Sequence, residues 1–83
     1  MENTHPSDLI RELLKASEWS QNDLASASGI QRGRVSEVLS RKRRVTPGLA
    51  LKLEKALGLE ARVWLALQAR WDLEQKIASL NHD

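Results

Sequence analysis

The chain has 83 residues, a formal net charge of +2 and no cysteine, and these properties limit what it can be. A chain of this length holds one domain with a modest core, which often needs a further source of stability. Because cysteine is missing, disulfides and thiolate zinc sites are excluded, and association with another chain remains. No segment has the roughly 20 apolar residues of a membrane span or the shorter apolar run of a signal peptide, so we expect a cytoplasmic protein.

Apolar residues recur at helical spacing along the whole chain, and no stretch alternates apolar and polar residues as a strand does. This pattern predicts an all-α fold with five helices. The first helix is expected from about Ser7 to Glu18, after Pro6, because proline is favoured at a helix start. Ser20 and Asp23 form a variant capping box that begins the second helix. Gly29 ends it, since glycine adopts the left-handed conformation without a steric penalty.

Three further helices are predicted. The third is expected from about Gln31 to Ser40 and lacks a strong cap at its start. Thr46 and Pro47 open the fourth helix, and Gly58 closes it, which are the residue types favoured at those positions. The fifth helix is expected from about Glu60 to near Leu80 and is the longest.

The second and third helices together have the features of a helix-turn-helix, in which a short helix, a glycine turn and another short helix follow one another. Ala25 is small where the two helices cross, and Gly29 supplies the turn. The residues expected to fill the wedge between the helices are Leu24, Ile30, Val35 and Val38. The sequence therefore predicts a λ-repressor-like helix-turn-helix DNA-binding domain over residues 7–58, preceded by a tail of residues 1–6.

Basic residues are concentrated around the third helix, where six of the 13 lysines and arginines lie between Arg32 and Arg44 against one acid, Glu37. A plain helical hairpin with solvated arginines does not explain this concentration, whereas neutralisation of DNA phosphates does. The candidates for contacts with the DNA backbone are Gln21, Arg34, Arg41, Lys42, Arg43 and Arg44.

The third helix is the expected recognition helix, which enters the major groove with its N-terminal residues toward the base edges. The base-reading candidates are Gln31, Arg32, Ser36 and Glu37. Arg32 can pair bidentately with guanine and Gln31 with adenine, and Glu37 can accept from a cytosine amino group. An alternative for Glu37 is an ion pair with Arg34 or Arg41.

The fifth helix, expected within residues 59–83, carries two apolar stripes at about 100° per residue. One stripe consists of Val63, Trp64, Leu67, Trp71 and Ala78 and can cover the core of the domain. The other consists of Leu65, Ala69, Leu73, Ile77 and Leu80. Polar residues such as Gln68 separate the two stripes. The second stripe needs a partner, and the same helix of a second chain is the simplest one, so we expect a dimer interface there.

Three segments of the chain together resemble a known family: THPSDLIRELL, then SQNDLASASGIQRGRVSEVLSRKRRVTPGLALKLEKALG, then VWLALQARWDLE. They are similar to antitoxins of the HigA type in the XRE (Cro/CI-like) helix-turn-helix superfamily, over roughly residues 4 to 75. Many regulators share the helix-turn-helix, whereas the segment with the tryptophans is more specific. Where the family often has glycine after the recognition helix, this chain has Arg41. Where it often has a Ser or Thr cap on the last helix, this chain has Leu59 and Glu60.

The resemblance implies a sequence-specific DNA-binding antitoxin that represses its own operon as a homodimer and binds a RelE-like, messenger-RNA-cleaving toxin. It also implies that the fifth helix contributes to dimerisation, in agreement with the second apolar stripe. The expected partners are a palindromic operator in duplex DNA, a second copy of the chain and the toxin. Two alternatives share the fold: a stand-alone XRE-type repressor without a toxin, and a protein-interaction module that does not bind DNA.

Other residues that can carry chemistry do not form a recognisable catalytic or metal site in the sequence. His5 and His82 lie near opposite ends without companion ligands, and both are expected to be solvated. Trp19, Trp64 and Trp71 have the spacing of packing residues. There is no nucleophile motif and no phosphate-cradling glycine loop. We therefore expect neither enzymatic activity nor a cofactor or metal.

Overall fold

The computed structural model describes residues 4–81, and within this range the chain forms five helices and no strand. The helices are α1 (Pro6–Ser17), α2 (Gln21–Ser28), α3 (Arg32–Leu39), α4 (Pro47–Leu57) and α5 (Ala61–Leu80). The predicted all-α, five-helix fold is confirmed, and each predicted helix end lies within about one residue of the observed one. In this part of the chain no helix is long and apolar enough to cross a membrane.

Local capping explains most of these bounds. The side chain of Ser20 accepts from the backbone N–H of Asp23, whose carboxylate accepts in turn from the N–H of Ser20, so the predicted capping box is present. The hydroxyl of Thr46 accepts from Leu49 at the start of α4. At the ends of α2 and α4, Gly29 and Gly58 have φ angles of 80° and 87°, the left-handed region that favours glycine.

The start of α1 differs from the prediction because His5 is its N-cap. Its ring Nδ1 accepts from the backbone N–H of Ser7 at 3.0 Å, and the Asp8 carboxylate accepts from the N–H of His5 at 3.3 Å. His5 is 3% exposed, so the prediction that it is solvated is wrong, whereas His82 lies outside the described residues. The folded unit therefore includes His5 and Pro6, which the predicted tail of residues 1–6 contained.

The core lies where α5 and α1 close over the helix-turn-helix and α4. The four residues expected between α2 and α3 are all buried: Leu24, Ile30, Val35 and Val38. The other buried apolar residues are Ile10, Leu14, Leu39, Val45, Leu49, Ala50, Leu53 and Trp64. Trp64 has no exposed surface, so the stripe of α5 that carries it is the one that covers the core.

The polar residue Gln68 on α5 is also buried, although the helical pattern placed it between the stripes. It is 3% exposed, and its side-chain Oε1 accepts from the backbone N–H of Val45 at 2.8 Å. Its Nε2 donates to Asp72 at 3.0 Å. A buried backbone N–H needs such a partner, so this bond attaches α5 to the segment that follows α3.

Candidate nucleic-acid interface

The first turn of α3 is exposed, while its opposite side is anchored in the core. Val35, Val38 and Leu39 are buried, which leaves all four base-reading candidates on the exposed side: Gln31, Arg32, Ser36 and Glu37. Gln31 is the N-cap and its side chain makes no capping hydrogen bond, in agreement with the predicted weak start. The side chain of Gln31 is therefore not committed to capping and is available for a ligand.

α1 supports the other end of the recognition helix. The Nη2 of Arg11 donates to the carbonyl oxygen of Leu39 at 2.8 Å, in the last turn of α3. A guanidinium satisfies a carbonyl that has no partner within the helix and also lies at the negative end of the helix dipole. Nothing in the local sequence around Arg11 indicated this contact, because the two residues are 28 positions apart.

Arg32 is held beside the start of α2. Its Nη1 donates to the side-chain oxygen of Asn22 at 2.9 Å. Gln21, the predicted phosphate ligand at the first position of α2, is half-buried. The arrangement places Arg32, Asn22 and Gln21 around one positive helix end, and sequence reasoning missed Asn22.

Glu37 forms an ion pair within the exposed surface. Its Oε1 lies 2.8 Å from the Nε of Arg43, a partner that the sequence did not indicate, since Arg34 and Arg41 were the alternatives. Both side chains are more than two-fifths exposed, so the pair contributes little to stability and water or a ligand can replace it.

The segment that follows α3, Arg41–Arg44, is exposed and is called the basic loop below. In it, Lys42 makes no side-chain hydrogen bond or ion pair with any other described residue. Arg44 pairs with Asp72 of α5 across 2.6 Å between Nη2 and Oδ2, yet its side chain is 69% exposed. The loop therefore presents cationic side chains to solvent at the C-terminal end of α3, where Arg43 pairs with Glu37.

Arg41 is oriented differently from the rest of the loop. Its Nη2 lies 3.0 Å from both carboxylate oxygens of Asp8 on α1, and its guanidinium carbon lies 4.7 Å from the ring centroid of Trp71 on α5. The edge of the His5 ring meets the same tryptophan, with 5.0 Å between ring centroids. Burial, and then the positive charge of Arg41, lower the pKa of His5.

An open, mainly polar depression of about 160 Å³ is bordered by the basic loop and α5. Besides the loop, its lining consists of His5, the N-cap of α1, and three residues of α5: Gln68, Trp71 and Asp72.

The residues predicted for the dimer interface are distributed along α5. Leu65 is partly buried and packs against the core, and Ala69 is exposed. Beyond them, Leu73, Ile77 and Leu80 are 59%, 42% and 65% exposed. The second half of α5 thus carries an apolar surface that the described part of the chain does not cover.

A recognition helix with an exposed first turn, positioned by a glycine turn and flanked by a basic loop, defines a helix-turn-helix DNA-binding fold. The helix-turn-helix family model matches residues 10–64, and the chain belongs to this family, in its XRE type. The fold is that of DNA-binding antitoxins and transcriptional regulators.

Known proteins of similar sequence span nearly the whole chain. Virulence-associated protein I of Dichelobacter nodosus is 35% identical over 93% of this chain and 75% of its own length. The HTH-type transcriptional regulator YddM of Escherichia coli K12 is 34% identical over 84% of this chain and 74% of its own length.

Solved structures of similar fold include two antidote proteins. One is an antidote protein of a plasmid maintenance system from Nostoc punctiforme PCC 73102, with a TM-score of 0.89 and 31% identity over 94% of this chain and 86% of that one. The other is a HigA-family addiction module antidote protein from Coxiella burnetii, with a TM-score of 0.84 and 31% identity over 95% and 87% of the chains.

Proposed function

We propose that the chain is the antitoxin of a type II toxin-antitoxin module, which represses its own operon as a homodimer and binds a RelE-like, messenger-RNA-cleaving toxin. The observation that carries this proposal is the exposed side of α3, followed by the basic loop, on the fold of HigA-family antidote proteins. DNA binding is the part of the proposal that the residues support most directly.

In the proposed complex, the first turn of α3 lies in the major groove and reads bases. Arg32 pairs with guanine and Gln31 with adenine, and Ser36 and Glu37 reach the next base edges. Arg32 gives up its bond to Asn22 on binding, and Glu37 gives up its pair with Arg43. Both contacts are on the exposed surface, so a DNA ligand can replace them at small cost.

The proposed phosphate ligands lie at the start of α2, on α3 and in the basic loop: Gln21, Arg34, Lys42, Arg43 and Arg44. Lys42 is the most direct candidate because it makes no ion pair within the described chain. Arg43 and Arg44 exchange a carboxylate, on Glu37 and Asp72 respectively, for a phosphate oxygen. Each such contact releases counterions from DNA, which makes the affinity depend on salt.

Dimerisation is proposed through the second stripe of α5, with Leu73, Ile77 and Leu80 at its exposed end. Isologous pairing of these residues removes from water an apolar surface that the monomer exposes. A twofold dimer presents two recognition helices, which match the two half-sites of a palindromic operator. These half-sites are then about 34 Å apart, or a multiple of that distance.

Toxin binding is proposed from the likeness to antidote proteins from Nostoc punctiforme and Coxiella burnetii, which extends over more than nine-tenths of the chain. A stand-alone repressor is the second candidate, because YddM, which is similar over 84% of this chain, is described only as a transcriptional regulator. Co-expression with the neighbouring gene separates the two. Co-purification of a small basic protein supports the antitoxin, and its absence supports the stand-alone repressor.

The first experiment is a titration of the purified chain against the DNA upstream of its own gene and against random duplex at about 0.15 M salt, with the mass of the complex measured in parallel. We expect one dimer to saturate its own promoter at least about a thousandfold more tightly than random DNA. Weak and equal binding to both duplexes would refute operator recognition.

A further inference from the structure

Arg41 contacts two helices that are distant in the sequence. Its guanidinium lies against the Asp8 carboxylate of α1, with both oxygens 3.0 Å from Nη2, and over the Trp71 ring of α5. Its Nε also lies 3.4 Å from the hydroxyl of Ser7, a residue that is 1% exposed. The Arg41 and Asp8 side chains are 44% and 42% exposed, much as in the pair of Glu37 and Arg43, but Arg41 also has the Trp71 ring and the Ser7 hydroxyl as neighbours.

The backbone of Arg41 adopts a conformation that suits glycine better. Its φ of 65° is in the left-handed region, where a residue with a Cβ is uncommon. The backbone N–H of Arg41 donates to Val38, and that of Lys42 donates to Glu37, so the loop leaves α3 in a tight turn. A glycine at this position forms the same turn without the side-chain contacts to α1 and α5.

The far end of the basic loop is attached to α5 as well. The buried N–H of Val45, the residue that follows the loop, donates to Gln68, and this bond does not depend on the exposed pair of Arg44 and Asp72. Between these two attachments lie Lys42 and Arg43, which are both exposed. The loop is therefore fixed at both ends, and the residues between them carry the charge that a phosphate meets.

We propose that Arg41 is a positioning residue for DNA binding, and that with Asp8 and Trp71 it forms a clamp that holds the basic loop in its DNA-binding shape. This inference rests on the proposed DNA-binding function and assigns Arg41 a role other than the phosphate contact expected from the sequence. In the clamp, residues that do not touch DNA determine affinity, because they fix where Lys42 and Arg43 are presented.

The sign of the effect of Asp8→Asn separates the two roles. If Arg41 were a phosphate ligand, removal of the carboxylate would free it and remove a negative charge, so DNA would bind more tightly. If Arg41 is the clamp, Asp8→Asn loosens the loop, and we expect affinity for the operator to fall by about fivefold, in the range of energetic coupling between sites. Glu12→Gln is the matched control, since Glu12 is an exposed acid on the same helix and does not contact the clamp.

Arg41→Gly provides the second arm, because glycine accepts the turn conformation and the variant keeps the backbone geometry. In the Arg41→Gly background we expect Asp8→Asn to cause no loss of affinity, since Asp8 acts through Arg41. Tighter binding of Asp8→Asn in both backgrounds would overturn the clamp. A second result would also overturn the clamp. In it, the salt slope of Arg41→Gly is smaller than that of the wild type by about 0.9 per protomer, and the effects of Arg41→Gly and Asp8→Asn on affinity are additive.

The controls also separate this inference from the proposed function. Wild-type chain that fails to bind its upstream DNA refutes the proposed function. Wild-type chain that binds, with an Asp8→Asn variant that binds equally or more tightly, refutes the clamp alone. Thermal unfolding of each variant, followed by circular dichroism, identifies any loss of affinity that comes from unfolding. If Asp8→Asn is unfolded at the assay temperature, the salt slope of Arg41→Gly decides between the two roles.

Discussion

The side-chain Oε1 of Gln68 accepts a hydrogen bond from the backbone N–H of Val45 at 2.8 Å, and both residues are buried. This one hydrogen bond connects the helix proposed for dimerisation with the segment that leaves the recognition helix. It crosses 23 positions of sequence, so it forms only when the core has assembled. The bond therefore holds the segment between α3 and α4 against α5.

Gln68→Met keeps the volume of the side chain and removes the acceptor. The buried N–H of Val45 then has no partner, and we expect the free energy of unfolding to fall by about 1–3 kcal/mol. Urea denaturation followed by tryptophan fluorescence measures the change. Gln75→Met on the exposed face of α5 is the control and should change stability by less than about 0.5 kcal/mol. Equal effects of the two variants would contradict the role of this bond.

Arg32→Ala and Lys42→Ala test the division between base reading and phosphate contact. Arg32→Ala should cost about 1–3 kcal/mol on the operator and relax the preference at one base position, because a bidentate pair with guanine is lost. Lys42→Ala should weaken binding to every duplex alike and reduce the salt slope by about one unit. Titrations on operator and random DNA at several salt concentrations measure both effects. If Arg32→Ala loses as much affinity on random DNA as on the operator, the assignment is wrong.

Leu73→Glu tests the dimer face. It places a charge in the proposed interface, where burial without a partner is unfavourable, so we expect a monomer by sedimentation equilibrium. Leu51→Glu is the matched control, because Leu51 lies on α4 and is 62% exposed against 59% for Leu73. The control should keep the mass of the wild type. A dimer that persists in Leu73→Glu would place the interface elsewhere.

His5 should make stability depend on pH. Burial and the neighbouring charge of Arg41 lower the pKa of His5 below its ordinary value of 6.5 in the folded chain. Between the folded pKa and 6.5 the unfolded chain binds the proton and the folded chain does not. The contribution of His5 to the free energy of unfolding is therefore complete above pH 6.5 and decreases as the pH falls below that value.

The test compares unfolding of wild type and His5→Asn between about pH 7.5 and 5.5, above the range of most carboxylates. Asparagine retains an N-cap acceptor and does not titrate. We expect the variant to lose less stability than the wild type across this range. His82→Asn removes the other histidine and should behave as the wild type does. The same pH dependence in all three proteins would show that His5 is not the responsible group.

Helix positions were predictable because their signals are local. The Ser20 and Asp23 capping box, the Thr46 cap and the two terminal glycines each act within about four residues, and each was confirmed. Helical periodicity likewise predicted that the first turn of α3 is exposed, because the periodicity determines which residues face the core.

The sequence by itself determined the five helices, the wedge of the helix-turn-helix, the local excess of basic residues and the apolar stripe at the end of α5. Only the tertiary structure decided how charges pair and which polar groups are buried. His5 becomes a buried cap against Trp71, Gln68 meets Val45, and Arg41 meets Asp8 across 33 positions. The physical reason is distance along the chain. Helix propensity and capping depend on near neighbours, whereas these contacts exist only after α1 and α5 have packed over the same core.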